Sequence, residues 1–234
     1  MGEVERIKQA YEKRGIEGKG QLYNLFGIFG NASLFQFHQR EKAILQALAR
    51  SGINDLSDKK ILDVGCGTGG VLREFVKYGA KPENCSGIDL LPDRIKTAKH
   101  ISPNMDFRCC SAEKLPWDIE FNVILCFTVF SSVFDEQMKQ RIASEMLRVL
   151  SPGGIILWYD FHMNNPRNPD VRGVKRCEIK QLFPNCTFDF HRTTLAPPIT
   201  RLLAPHSWLL CYLLEQLRFL NTHYLVVIGK VSGG

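Results

Sequence analysis

The chain has 234 residues, 44% of them hydrophobic and 23% charged, and a formal net charge of +6. That is ample apolar chain for one large core, and it excludes a disordered, collagen-like or coiled-coil protein. No apolar run reaches the roughly 18–20 residues of a membrane span; the nearest, 208–214, stops at Glu215.

Met1-Gly2-Glu3-Val4-Glu5-Arg6 carries no apolar signal core, so a cytoplasmic location is expected. There the eight scattered cysteines, none in a C-x-x-C pair, are expected as reduced thiols used as small apolar residues. The positive charge suits nucleic acid or an anionic lipid surface, but no basic run concentrates it.

Residues 1–58 read as an N-terminal helical cap with Gly-rich breaks at 15–20 and 27–30. It holds an aromatic cluster of Tyr23, Phe26, Phe29, Phe35 and Phe37, for which core packing is expected. Phe37, Ile44, Leu45 and Leu48 stand at helical spacing and predict a helix over 37–49. The texture changes at Lys60. Strands are predicted at 61–64, 85–89, 105–108, 121–127 and 155–161, separated by helices over 71–78, 92–100 and 136–149. Asp135 is the expected cap of the last of these, and Met138, Ile142, Met146 and Val149 its inner stripe.

Such alternation means right-handed crossovers and a parallel sheet. The core is therefore placed at 59–161. Residues 162–234 are read as a substrate-side loop, an apolar helix over 206–219, and strands at 187–193 and 223–228. The expected fold is a doubly wound α/β domain with a mostly parallel seven-stranded sheet and an antiparallel C-terminal edge.

In such a sheet ligands bind outside the carboxyl ends of the strands. The first strand exits into Gly65-Cys66-Gly67-Thr68-Gly69-Gly70. Glycines there let a ligand lie on the main chain, and the next helix offers free N–H groups. Alone, the turn also fits a dinucleotide fingerprint, and Asp89, 20 residues past Gly69, suits a ribose under either reading. Context separates them. Asp63 lies inside the strand before the turn, a Leu-Pro loop follows the third strand, and Ser151-Pro152-Gly153-Gly154 precedes the fifth.

This ordered set resembles the class I S-adenosylmethionine (SAM)-dependent methyltransferases. The residues carrying the resemblance are Asp63-Val64-Gly65-Cys66-Gly67-Thr68-Gly69, Ile88-Asp89-Leu90, Ser111-Ala112-Glu113-Lys114-Leu115-Pro116, the strand at 121–127 and Leu150-Ser151-Pro152-Gly153-Gly154. The resemblance implies SAM as cofactor, with Gly65, Cys66, Gly67 and Gly69 beneath its methionine and ribose. It implies Asp63 orienting the methionine amine, Asp89 accepting the ribose hydroxyls, and Leu90 packing on adenine. Ser111 and Ala112 would meet the adenine edge, and the main chain of Cys126 and Phe127 the amine. Ser111 departs from the aspartate common in the family.

Methyl transfer needs alignment and water exclusion, and a base only if the acceptor loses a proton. Asp160 and His162 alternate onto one side of the fifth strand and are the expected acid–base pair, a Pro-rich loop cap being the competing reading. The expected reaction is methylation of a small molecule with an apolar or aromatic part. RNA methylation and a non-catalytic SAM-binding role are the alternatives. An NAD-linked oxidoreductase is disfavoured by Asp63 and the later motifs. No metal-ligand set is expected, since Cys126 stands where a metal-binding carboxylate would. The apolar 206–219 helix is read as core, with a lid, a dimer contact or a peripheral membrane contact as sharper readings.

Overall fold

A computed structural model describes residues 2–17, 30–118, 121–165 and 168–231. Tyr23, Phe26 and Phe29 of the expected aromatic cluster lie outside these. Among the described residues two helices precede the sheet: α1 (Glu3–Glu17) and α2 (Asn31–Arg50). Then β1 (Ile61–Val64), α3 (Gly70–Lys77), β2 (Cys85–Asp89), α4 (Pro92–Ile101), β3 (Asp106–Cys109) and β4 (Phe121–Phe127) alternate. After α5 (Glu136–Val149) and β5 (Leu150–Phe161) come α6 (Arg176–Leu182), β6 (Cys186–Leu195), α7 (Pro197–Leu203), α8 (Trp208–Gln216) and β7 (Asn221–Lys230).

The strands form one seven-stranded sheet in the order β3-β2-β1-β4-β5-β7-β6. The first five are mutually parallel, and β7 runs antiparallel to both β5 and β6. The antiparallel strand is thus inserted inside the edge, with β6 outermost. Strand order reverses between β1 and β4, and the site lies there.

β1 is buried throughout because helices cover both faces, so its sequence is a continuous apolar run broken only by Asp63. On one face α5 lays down Met138, Ile142, Met146 and Val149, all buried. Asp135 accepts the Met138 N–H at 3.0 Å as the N-cap. On the other face α2 and α3 bring Ile44, Leu48, Leu72 and Phe75 against Ile61, Val123 and Leu157. A smaller cluster of Phe35, Leu195, Ala204 and Cys211 ties α7 and α8 to α2.

Two departures from sequence reading have local causes. Residues 151–154, expected as a turn before the fifth strand, form its beginning, through a register shift between Phe121 and Val123 of β4. The helices α6 and α7, each of only seven residues, lack a long apolar period, and the sequence predicts no element there. All eight cysteines are free thiols.

Candidate active site

The turn after β1 folds back onto β2: the amides of Gly65 and Cys66 both donate to the Ile88 carbonyl, at 2.9 and 2.8 Å. Gly65 and Gly69 have φ of 77° and 80°, open to glycine but costly for other residues. A Cβ at Gly65 would stand 2.6 Å from Val129 Cγ2, and one at Gly69 2.7 Å from Phe107 Cζ. The turn therefore lies too close to its neighbours for side chains. Cys66 turns inward instead. Its sulfur would meet a Cβ on Gly87 at 2.9 Å, and burial pushes its thiol pKa well up, so it is a neutral packing residue.

Asp89 ends β2 with its carboxylate shared between two backbone donors. Oδ2 accepts the Gly67 N–H and Oδ1 the Leu91 N–H, both at 2.9 Å. Each oxygen keeps a lone pair for a further donor, the requirement for gripping a pair of adjacent hydroxyls. Gly65, Asp89, Leu90, Ala112 and Phe127 all line one cavity of about 200 Å³ beside this carboxylate.

Among the described residues three buried polar atoms here have no hydrogen-bond partner: Asp63 Oδ2 in β1, Nε of Arg40, which α2 brings in, and Oε2 of Glu74 in α3. Arg40 Nη2 donates to Glu74 Oε1 at 2.7 Å, which anchors the guanidinium. Burial holds the Asp63 carboxyl well above its usual range, the carboxylates of Asp89 and Glu74 add to this, and Arg40 opposes it. The charge of Arg40 is balanced by Glu74 and only its Nε is unmet, whereas Asp63 has no direct partner among the described residues; such buried polar atoms are costly unless a ligand meets them. A zwitterion does so: its ammonium suits Asp63 and its carboxylate Arg40. With a hydroxyl pair at Asp89 and an apolar wall at Leu90 and Ala112, these groups fit SAM.

Comparison with known proteins agrees with this chemistry. Residues 61–154 match the family model for a methyltransferase domain. A demethylmenaquinone methyltransferase from Chlorobaculum parvum is 32% identical over 153 residues, covering 63% of this chain and 59% of that protein. A phthiotriol/phenolphthiotriol dimycocerosates methyltransferase from Mycobacterium tuberculosis is 35% identical over 120 residues, covering 47% and 41%. The chain thus spans less than two thirds of the length of these relatives. Among solved structures, the geranyl diphosphate C-methyltransferase of Streptomyces coelicolor superimposes with a TM-score of 0.59 at 16% identity, over 81% of this chain and 77% of that one. Residues 61–154 thus resemble a methyltransferase domain, on a fold shared with SAM-dependent methyltransferases.

α1, outside the matched residues, roofs the cavity. Ile7 and Tyr11 line it, the Arg94 guanidinium lies 4.4 Å over the Tyr11 ring, and the Tyr11 hydroxyl is 3.1 Å from Ser132 Oγ. Glu3 clamps the same helix to the loop after β4 by accepting the Phe134 N–H, and Arg6 lies 3.8 Å over the Phe134 ring. None of Arg40, Tyr11 or Arg94 belongs to a motif of the core. Only their reach across the fold puts them here.

The same end of the sheet carries backbone strain. Thr128, just past β4, and Thr194, in β6, have φ of 56° and 68°, unusual for β-branched residues. Tyr159 joins them: its carbonyl accepts the Thr128 N–H and its hydroxyl meets Thr194 Oγ1, both at 2.7 Å. Burial pushes the Tyr159 hydroxyl up to about 12, so it stays protonated. His223 stacks on its ring, with centroids 4.6 Å apart and planes 6° apart. Thr222 Oγ1 contacts both the Thr194 carbonyl and His223 Nδ1, at 3.3 and 2.9 Å. Both contacts hold together only if the hydroxyl donates to the carbonyl and Nδ1–H donates to the hydroxyl, which leaves a lone pair on Nε2. Burial pushes the His223 pKa down to about 3, helped by His162 and Arg40, so the ring is neutral.

The expected pair of Asp160 and His162 is not formed. Both are buried, as alternation implied, but each is committed elsewhere. Asp160 accepts the Ser131 N–H at 2.9 Å and the Phe161 N–H at 2.8 Å, holding the loop after β4. Burial pushes its pKa up to about 6 despite these bonds. His162 Nε2 lies 2.7 Å from the Asn221 carbonyl, and its ring packs on Tyr224. The alternation of a strand sets a shared side, whereas the backbone donors and acceptors around each side chain set its partner. Ser111 likewise turns to its own loop: Oγ bonds Glu113 Oε2 at 3.2 Å and accepts the Glu113 N–H at 3.3 Å. Ala112 and Cys110 form the cavity wall beside it. The Cys126 side chain is buried in the core, while its neighbour Phe127 reaches the cavity.

Proposed function

We propose that the chain transfers the methyl group of SAM to a small-molecule acceptor bearing an apolar or aromatic part. The observation carrying this reading is the set of unmet groups, Asp63 Oδ2 and Arg40 Nε, beside the two free lone pairs of Asp89. The cofactor supplies, when bound, a carbon already activated toward an in-line nucleophile. Asp63 and Arg40 hold its amino-acid end, Asp89 its ribose, and Leu90 and Ala112 its base. Gly65, Gly67 and Gly69 let it rest on the main chain. α1 excludes water through Tyr11 and the Phe134 clamp.

An apolar acceptor suits the ring-lined strand ends at Phe127, Tyr159 and Phe161, and the relatives named for demethylmenaquinone and for phthiotriol dimycocerosates support that class. Asp160 acts as a positioning residue through the Ser131 loop. The cytoplasm remains the proposed location.

The test is titration calorimetry with SAM and S-adenosylhomocysteine, followed by transfer of labelled methyl into an organic extract containing hydroxylated aromatic and prenylated acceptors. Saturable cofactor binding with label in the organic phase is the expected result. Binding without transfer to any acceptor favours a binding protein, and label entering RNA overturns the acceptor class.

A further inference from the structure

We propose that the outer face of α8, together with the basic pocket along its inner edge, docks on a bilayer containing anionic phospholipid. This goes beyond the methyl-transfer reading and holds whether or not transfer occurs.

The apolar half of the surface is a ridge. Leu209, Leu213 and Leu217 recur every four residues and are 68%, 55% and 45% exposed. The helix is already anchored from behind by Cys211, which packs into the cluster with Phe35 and Ala204. Core packing, the bland reading of this sequence, therefore accounts for Cys211 and leaves the leucines unused. Leu202 and Phe219, 70% and 69% exposed, extend the apolar area on either side. Trp208 at the helix start packs edge-on against Phe35 with centroids 5.6 Å apart, an amphipathic ring at the border.

The charged half is a pocket between α2, the end of β6, α8 and the start of β7, which Tyr212 and Gln216 of α8 help to line. Lys42, Arg192 and Arg218 line it and are exposed. Among the described residues none of the three forms an ion pair with a carboxylate. Lys42 Nζ instead lies 4.9 Å over the Tyr212 ring and the Arg192 guanidinium 5.8 Å over Tyr224. The acids nearby are spoken for: Asp189 bonds Arg50 and His191 at 3.3 and 2.9 Å, and Glu215 is buried, accepting the Thr194 N–H at 3.1 Å. From residue 190 to the end of the sequence Glu215 is the only acidic residue.

Adjacent leucines and unmatched cations call for a partner that is apolar and anionic together. A phosphate-bearing lipid surface is both, with the leucines entering the headgroup boundary and the phosphates meeting the pocket. A symmetric contact between two copies would bury the leucines while bringing like charges together. RNA would satisfy the cations and leave the leucines in water. The turn at Arg218–Leu220 leads from α8 straight into β7 and His223. Docking would therefore hold the acceptor end of the sheet against the bilayer, where apolar acceptors collect.

Vesicle flotation of the full chain tests this, using phosphatidylcholine alone and phosphatidylcholine mixed with phosphatidylglycerol. The chain is expected to float with the mixed vesicles only, and less so as salt is raised. Lys42→Gln, Arg192→Gln and Arg218→Gln should each weaken partition about fivefold. Leu209→Ser combined with Leu213→Ser should weaken it by about tenfold or more. Unchanged melting and cofactor binding in these variants would show that they remain folded. Failure of the parent chain to float with anionic vesicles overturns the proposal. So does a dimer in sedimentation velocity that the leucine pair abolishes without effect on flotation. Protection of the pocket by inorganic phosphate in a chain that ignores vesicles would make it a free-anion site and would also overturn it.

Discussion

The backbone N–H of Gly67 donates to Asp89 Oδ2 at 2.9 Å, so the glycine turn after β1 and the carboxylate ending β2 form one unit. The same carboxylate fixes Leu91 through Oδ1, which sets the entry to α4. On the proposed function, binding the cofactor ribose and shaping the turn would be inseparable roles of Asp89. Asp89→Ala leaves two N–H groups unmet, at about 1–3 kcal/mol each when buried. It is expected to lower the melting temperature and to weaken SAM binding by about 100-fold. Calorimetry beside a melting scan checks both effects, and tight binding by this variant would remove Asp89 from the site.

Gly65 tests the close approach of the turn to the loop after β4. Gly65→Ala adds a methyl 2.6 Å from Val129 Cγ2 and strains a φ of 77°. The expected loss of stability is about 2–4 kcal/mol, combining overpacking with backbone strain. In the double variant with Val129→Ala the steric part should return and the φ part remain. Denaturant unfolding of the four proteins in a double-mutant cycle measures that coupling.

Asp63 predicts a proton linked to cofactor binding. Its folded pKa is raised in the free protein, and a bound ammonium would favour the carboxylate and draw the pKa down. Binding then releases a proton, so affinity should rise with pH through the raised range and level off above it. Calorimetry in buffers of different ionisation heat reads the proton count. Asp63→Asn should bind more weakly and show no such release.

His223 predicts an acid limb in stability. Its folded pKa, about 3, lies below the ordinary histidine value of 6.5, so the folded state binds fewer protons than the unfolded one. The neutral ring thus contributes stability that is present above about 6.5 and lost as pH falls toward 3. Replacement by phenylalanine, which keeps a ring against Tyr159, should flatten this limb. Asp160 has the opposite sign: with a folded pKa of about 6, its contribution is full below 3.8 and lost as pH rises through 6. Unfolding free energies of parent, His223→Phe and Asp160→Asn across pH 3–8 separate the two.

Tyr11 predicts a gating effect on the cofactor. Removing the ring breaks the stack with Arg94 and the contact with Ser132 while leaving Asp89 and Asp63 in place. Tyr11→Ala is expected to speed cofactor release about tenfold with a smaller change in association, because the lost contacts are made only after entry. Stopped-flow displacement measures the two rates, and an unchanged release rate would deny α1 a roofing role.

The residues that could be read without a structure are those whose meaning is carried by near neighbours in the chain. Asp135 with its stripe at Met138, Ile142, Met146 and Val149 encodes α5, since a helix repeats every few residues. The run from Asp63 to Gly69 encodes a strand and a left-handed turn because backbone angles are local. Asp89 follows from its place at the next strand end. What the fold alone decided are the side chains that meet across it. Arg40, Tyr11 and His223 come from α2, α1 and β7, and no spacing in the chain relates them to Asp63 or Asp89. Asp160 and His162 show the same limit from the other side: alternation put them on one face, but the Ser131 amide and the Asn221 carbonyl, far away in sequence, claimed them separately. Local propensity is written into consecutive residues, whereas a buried polar group takes whichever partner packing brings within hydrogen-bond reach.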